Sequence, residues 1–456
     1  MKVTQVAIRP SEASQKAGRP ALTPELLAAS GARYSRNNEG LESILSKIDP
    51  ANLEKSVDSI FRMVDYGHQS IADMAPVAMF IDDVSIWLAY YIWTLCPTAG
   101  GQESSTRYIK LSAEGLVAPE TLGIAAQDLP EWQELMEQCF HAYQASQKIW
   151  EDAAAENPLL MGIPRSLLED SSDLGRKKVA RMRRNYAFDR ARYFLPATAA
   201  TNVMLIMSAR GWVNLCQHLL SHQLPEAVRC GELIRAELEL SAPRMIRHAR
   251  RVESVQKSIA SEFAKWAKSP GEKCSADGPS LSVMPPDGVS EAEIANDLAC
   301  HDNRYAPIGP SLQRTYVRFA WPAMAFAEIR DLNRHRTGSK HCPLVPQGFY
   351  FALDQCLESR RSELEKLATI GERATALAVK HLKNSCPAHV YWTLLGTEFP
   401  FEHVTTADKF IYEAELRTGV GAHYRYAKHL RDVLALFYKK FPSTKGLILE
   451  GSAEPE

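Results

Sequence analysis

Four groups of residues carry side chains that could do chemistry. The first is Arg334-His335-Arg336, which closes the helical run Pro322–Arg336 and precedes Thr337-Gly338-Ser339. Two guanidiniums flanking an imidazole suit a polyanion, because arginine forks match phosphate oxygens in pairs. Cations at a helix C-terminus that merely complement its dipole would read the same way. The second is Gly100-Gly101 followed by Gln102, Glu103, Ser104, Ser105, Thr106, Arg107 and Tyr108. A glycine turn, hydroxyls and an arginine together can hold a phosphorylated ligand, although a solvated turn has the same composition. The third comprises Ala191, Arg192, Leu195 and Pro196, then Ser208, Ala209, Arg210 and Asn214. Arg210 and Asn214 are four apart and share a helix face. The fourth is Glu415-Leu416-Arg417-Thr418-Gly419 with Ala422 and His423.

These groups need a scaffold, and helical patterning dominates the 456-residue chain. Thr23-Pro24-Glu25 opens a helix with a cap followed by proline. Lys55–Tyr66 reads as a helix stopped by Gly67. Longer helical stretches are expected over 128–155, 173–193, 203–222, 225–250, 355–384 and 407–438. β-Like runs at Val77–Ile81 and Thr315–Phe319 each lead directly into a helix, so the expected class is α+β with helix in excess. Val84–Cys96 is uncharged and apolar, too short for a bilayer, and reads as a buried helix.

Lys+Arg number 53 and Asp+Glu 54, a balance that excludes a globally polycationic nucleic-acid binder. The N-terminus has no apolar stretch of the secretory kind. Nine cysteines without a C-x-x-C pair fit reduced thiols, and a cytoplasmic location is the expectation. No membrane or nucleic-acid partner is expected. His218 and His222 lie four apart but lack an evident third metal ligand. Arg176–Arg184 is strongly basic and fits a solvated helix face. No G-x-G-x-x-G is present to suggest a Rossmann cofactor site.

The segment 269–290 is rich in Gly, Pro and Ser, as linkers are. The expected division is 1–268, a linker over 269–290, 291–445, and a tail over 446–456. The two strand-to-helix passages suggest an internal repeat at a slide of 239 residues, which superposes Phe80 on Phe319 and Trp87 on Phe326.

The stretch from Tyr66-Gly67-His68-Gln69-Ser70 through Ser85 to Tyr108 resembles the flavin-dependent thymidylate synthases, whose signature is R-H-R-x-x-S-x-N-E-x-S-x-R-Y. In the first half the R-H-R positions fall on Leu95, Cys96 and Pro97, while Glu103, Ser105, Arg107 and Tyr108 match the remainder. In the second half R-H-R and Ser339 are intact, but the later positions read Cys342, Leu344 and Pro346. The family's A-R-x-x-L-P, N-x-R and following Asn match Ala191, Arg192, Leu195, Pro196, Ser208 (in place of Asn), Arg210 and Asn214. Its helical arginine lands on Leu219 in the first half and on Arg417 in the second. The resemblance therefore implies two fused, helix-rich copies with small antiparallel sheets, each missing the motifs that the other keeps.

What the resemblance implies about activity is reductive C5 methylation of dUMP at one composite site per chain, with FAD as cofactor and NADPH and methylenetetrahydrofolate as co-substrates. Arg417 would be catalytic. Glu103, Ser105, Thr106, Arg107, Arg192, Arg334 and Arg417 itself would bind the nucleotide. His68, Ser70, Arg334, His335, Arg336, Ser208, Arg210 and Asn214 would contact FAD. The family's Gln three residues before R-H-R is Asp331 here, an unfavourable charge beside phosphates. A homodimer of chains would mimic the family's homotetramer. The alternatives are the same chemistry on another pyrimidine nucleotide, and a non-catalytic nucleotide-binding descendant.

Overall fold

The structure is a computed structural model and describes residues 1–451 apart from 9–10, 19–20, 36–39, 49–54, 56, 59, 62–69, 108–110, 269–277 and 420. The strands are β1 Lys2–Val6, β2 Pro76–Ser85, β3 Gly100–Glu103, β4 Ala200–Ser208, β5 Ser280–Met284, β6 Tyr316–Ala325, β7 Ser339–His341, β8 Gly348–Phe349 and β9 Thr397–Thr406. The helices that matter below are α1 Pro24–Tyr34, α2 Ile86–Leu95, α3 Leu129–Glu156, α4 Asp173–Ala191, α5 Ala209–Leu220, α6 Pro225–Ser241, α7 Phe326–Asn333, α8 Glu358–Lys383, α9 Ala407–Thr418 and α10 Tyr424–Lys440. The class is α+β with antiparallel sheets. The chain divides into two compact units. One is Met1–Ser105, Glu114–Gln127 and Thr198–Ala264; the other is Thr106–Ala113, Asp128–Ala197 and Lys265–Glu456.

Among the described residues each unit holds one sheet, and the two sheets share a topology. The first has the order β1-β2-β4-β3 and the second β5-β6-β9-β7, with β8 added to β9. In β9 the burial alternates strictly, so Thr397, Phe399, Phe401, His403 and Thr405 face inward. Both long strands are bulged, between Ile81 and Val84 and between Trp321 and Met324. Pro322 lies in the second bulge, where the ladder asks for no N–H donor. Both strands pass straight into a helix, α2 or α7.

The registers revise the slide of the repeat. Pro76 pairs with Ser208 where Tyr316 pairs with Thr406, and Ser85 pairs with Ala200 where Ala325 pairs with Glu398. The slide along β2 and β6 is thus 240, and it returns to 239 where Gly100 pairs with Ile206 and Ser339 with Val404. Phe80 therefore matches Ala320. It is 42% exposed, whereas Phe319 is fully buried. A one-residue shift moves a strand side chain to the opposite face, so that aromatic coincidence carries no structural meaning.

Several sequence expectations hold and others shift. Thr23 caps α1 by accepting from the Leu26 N–H, with Pro24 at the first helical position. The apolar run after Val84 is the buried helix α2. Residues expected to start a helix at 203 instead form β4 up to Ser208, because Val203, Leu205 and Met207 alternate inward. The 407–438 helix breaks at Gly419. The expected linker contains β5, which pairs with β6. The expected tail is tied down as far as Gly451: Ile448 is buried, and the Leu449 N–H donates to Glu415. The helix expected over Lys55–Tyr66 lies largely outside the described residues. The eight described cysteines are free thiols. Among the described residues no helix is long and apolar enough to cross a membrane.

The compact units do not follow a cut at residue 268. α3 and α4, from the first half of the sequence, pack on each other, and α3 packs on α8 of the second half. The Trp132 indole N–H donates to the carbonyl of Tyr391 at 3.0 Å.

Candidate active site

The second unit brings together residues far apart in sequence. The last turn of α4 is buried from Tyr186 to Ala191, and the chain continues through Arg192 into an extended segment. That segment pairs with the turn before β9. The Gly396 N–H donates to Tyr193 O and the Leu395 N–H to Leu195 O, both at 2.8 Å, and the Ala197 N–H to Thr393 O at 3.0 Å. Gly396 must be glycine: a Cβ would lie 2.4 Å from Tyr350 O and 2.9 Å from Tyr193 O. This pairing holds Arg192 against α7, whose buried face presents Glu328 and Asp331.

Arg192 is fully buried, and its Nη2 donates to Asp331 Oδ2 at 2.9 Å. Glu328 lies 3.8 Å away and accepts from the Tyr193 hydroxyl at 2.8 Å. Arg107 forms a fork on Asp189, with Nε at 2.7 Å and Nη2 at 2.9 Å from its two oxygens. Asp189 in turn offers its carbonyl to His423 Nε2 at 3.0 Å. His423 Nδ1 accepts from the Arg425 N–H and caps α10, so the imidazole is the neutral Nε2–H tautomer.

The charges follow from this packing. Burial alone would raise the Asp331 carboxyl, but the Arg192, Arg334 and Arg417 guanidiniums outweigh it and hold the carboxyl well below its usual range. Asp189 is lowered in the same way: burial opposes, and Arg107 and Arg192 prevail. Glu328 lacks enough compensation, and burial pushes it up to about 7. Burial also drives His423 far below the ordinary imidazole value.

α9 carries the remaining part. Glu413 and Arg417 are four apart and share a face. Arg417 donates from Nε to His335 Nε2 at 2.6 Å and from Nη2 to the carbonyl of Asp331 at 3.2 Å. Its guanidinium also lies over the Tyr426 ring at 5.2 Å. Desolvation, together with the Arg417 and Lys340 charges and against the pull of Glu413, brings His335 down to about 3. Glu413 pairs with His403 at 3.2 Å. Arg334 and Arg417 are half-buried and Arg336 is exposed.

Asp331 is thus the junction. Its carboxylate holds Arg192 from the first half of the sequence, and its carbonyl holds Arg417 from the second. Of the residues expected at a site, the second unit gathers Arg107, Arg192, Arg334, His335 and Arg417 around Asp189, Asp331 and His423. Thr106 is buried at the start of that unit's first segment.

The first unit holds the others. Glu103 is on β3, opposite Val203, and Ser105 ends the unit's first segment. Ser208 caps α5 and donates to Asp73 at 3.3 Å, and Arg210 pairs with the same carboxylate at 2.8 Å. Ser70 opens the short helix that carries Asp73. Asn214 is exposed one turn further along α5. His222 packs its ring against Trp87 and Tyr91 and accepts from the Leu224 N–H, which is a core role, while His218 faces the Asn214 carbonyl. The basic run occupies the mostly exposed N-terminal part of α4. His68 lies outside the described residues. Ser85 and Glu226 form a buried pair in this unit, with the Ser85 N–H and hydroxyl each 2.7 Å from the carboxylate.

Sequence reasoning flagged Asp331 only as a misplaced charge and missed Asp189, Glu328 and Tyr193. One signal was available: a carboxylate at 189 within the buried last turn of α4 must find a cation.

A family model described as Thy1, thymidylate synthase complementing protein, matches residues 21–244. The UPF0159 protein Ta1429 of Thermoplasma acidophilum is 26% identical over 254 residues, 51% of each chain, so the chain spans about half the length of the curated relative it matches. A Helicobacter pylori flavin-dependent thymidylate synthase complexed with FAD and dUMP is 14% identical, covering 55% of this chain and 100% of that one at a TM-score of 0.32. A UMP/dUMP methylase, PolB, from Streptomyces cacaoi bound with 5-Br dUMP is 15% identical, covering 54% and 93% at a TM-score of 0.33.

Proposed function

We propose that the chain, whose residues 21–244 match the thymidylate synthase complementing protein model, is a flavin-dependent transferase that adds a one-carbon unit to C5 of a uracil ring. The starting point is the family reaction: dUMP as acceptor, methylenetetrahydrofolate as carbon donor and NADPH as reductant. The observation that carries this reading is the junction at Asp331, which joins Arg192 and Arg417 in one cluster within one unit. One site then serves each pair of copies, and a homodimer of chains is the assembly that would mimic a family tetramer.

Arg417 is the catalytic residue in this reading. Its Nε and Nη2 are fixed by His335 and Asp331, so the guanidinium is held before substrate arrives. A preorganised cation beside the uracil carbonyl edge stabilises negative charge as the ring is activated. His335, being neutral, accepts the Nε–H and adds no competing positive charge. Within the second unit, half-buried Arg334 and exposed Arg336 are cations that suit the FAD phosphates. When bound, it would supply the hydride that reduces the transferred carbon.

Incubating the FAD-loaded chain with methylenetetrahydrofolate, NADPH and dUMP, UMP or deoxyuridine tests this, with products identified by mass. A C5-methylated product is expected. Absence of any alkylated pyrimidine would leave a non-catalytic descendant. The Arg192–Asp331 pair favours a second reading of the substrate, namely the same chemistry on a pyrimidine other than dUMP.

A further inference from the structure

Both arginines that the family resemblance assigns to a nucleotide phosphate already hold a carboxylate of this chain. Arg107 spends Nε and Nη2 on the two oxygens of Asp189, and its Nη2 also donates to Gly421 O at 3.1 Å. Arg192 spends Nη2 on Asp331 and has no exposed surface. A phosphate reaching Arg192 would have to uncover a buried guanidinium and then share it with an aspartate 2.9 Å away. Like charges that close repel strongly away from bulk water. A neutral ring asks for neither change. The half-buried Arg417 lies in the same cluster, where it can meet the carbonyl edge of the ring.

We infer that Asp331 and Asp189 stand in for a ligand phosphate, so that this site takes a pyrimidine nucleoside or free base in preference to the 5′-monophosphate. The inference rests on the pyrimidine-site reading above and refines its substrate class. It also gives a physical reason for aspartate at 331, where the family pattern has glutamine: the residue supplies the negative charge that the ligand does not bring.

Calorimetric titration of the full-length, FAD-loaded chain with deoxyuridine and with dUMP decides the matter. Deoxyuridine is expected to bind as tightly as dUMP or more tightly. Asp331→Gln and Asp189→Asn each release a guanidinium from its carboxylate, and each should shift the preference toward dUMP over deoxyuridine by about tenfold or more. Tighter binding of dUMP than of deoxyuridine by the unaltered chain would overturn the inference while keeping the pyrimidine site. That comparison needs no variant, so a variant that fails to fold does not blunt it. If the chain binds neither compound, the pyrimidine-site reading falls along with the inference.

Discussion

Arg417 and His335 are joined by one hydrogen bond, 2.6 Å from guanidinium Nε to imidazole Nε2, and its direction fixes the charge of the imidazole. A guanidinium only donates, so Nε2 must carry a lone pair. The low pKa of His335, about 3, agrees with that geometry. The pair therefore carries one positive charge, localised on Arg417.

The first prediction concerns this pair. Arg417→Ala should abolish turnover and leave FAD bound, as read by visible absorbance after gel filtration; loss of flavin would reassign the residue to the cofactor. Because His335 stays neutral, kcat should show no imidazole inflection between about pH 5 and 8. An inflection there that vanishes in His335→Gln would contradict the assigned hydrogen-bond direction.

Glu328 gives a prediction about pH and stability. Its folded pKa of about 7 lies above the ordinary carboxyl value of 4.5, so the folded state holds a proton that the unfolded state gives up earlier. The resulting stability is full below the unfolded value and is lost as pH rises through about 7. The size is at most about 3 kcal/mol. Urea unfolding of the unaltered chain should weaken from pH 5 to 8, and Glu328→Gln should flatten that slope. An equal slope in the variant would mean that Glu328 is ionised in the folded chain.

The buried pair in the first unit should matter for folding alone. Glu226 accepts both the backbone N–H and the hydroxyl of Ser85, which itself caps α2. Glu226→Ala strands two buried donors and should cost about 3 kcal/mol. Ser85→Ala removes a cap and one bond, at about 1–2 kcal/mol. Denaturant titration followed by tryptophan emission would measure both; equal losses would mean that the backbone donor is satisfied in some other way.

The complementary motifs predict the cofactor count. With one composite site, the purified chain should carry about one FAD. Two per chain would mean that each half keeps a site of its own, and the sorting of the motifs would then have no functional cause.

Much of the scaffold was legible in the chain itself. Thr23-Pro24, the apolar run of α2 and the strand-to-helix passages are local patterns, and they read correctly because neighbouring residues decide them. The arginines at 107, 192, 334 and 417 were legible as candidates, since their types and spacings do not depend on folding. The repeat was legible only to within one residue. Strand faces alternate with period two, and which of Phe80 and Ala320 share a face is settled by pairing with a distant strand. The partners of the arginines were not legible at all. Asp189 is 82 residues from Arg107 and Asp331 is 139 from Arg192, and nothing local indicates which buried carboxylate will meet which guanidinium. Tertiary packing decided that, by seating α3 and α4 in the unit of the second half. In doing so it turned two presumed phosphate ligands into internal ion pairs, because a desolvated charge must take the nearest opposite charge that the fold brings to it.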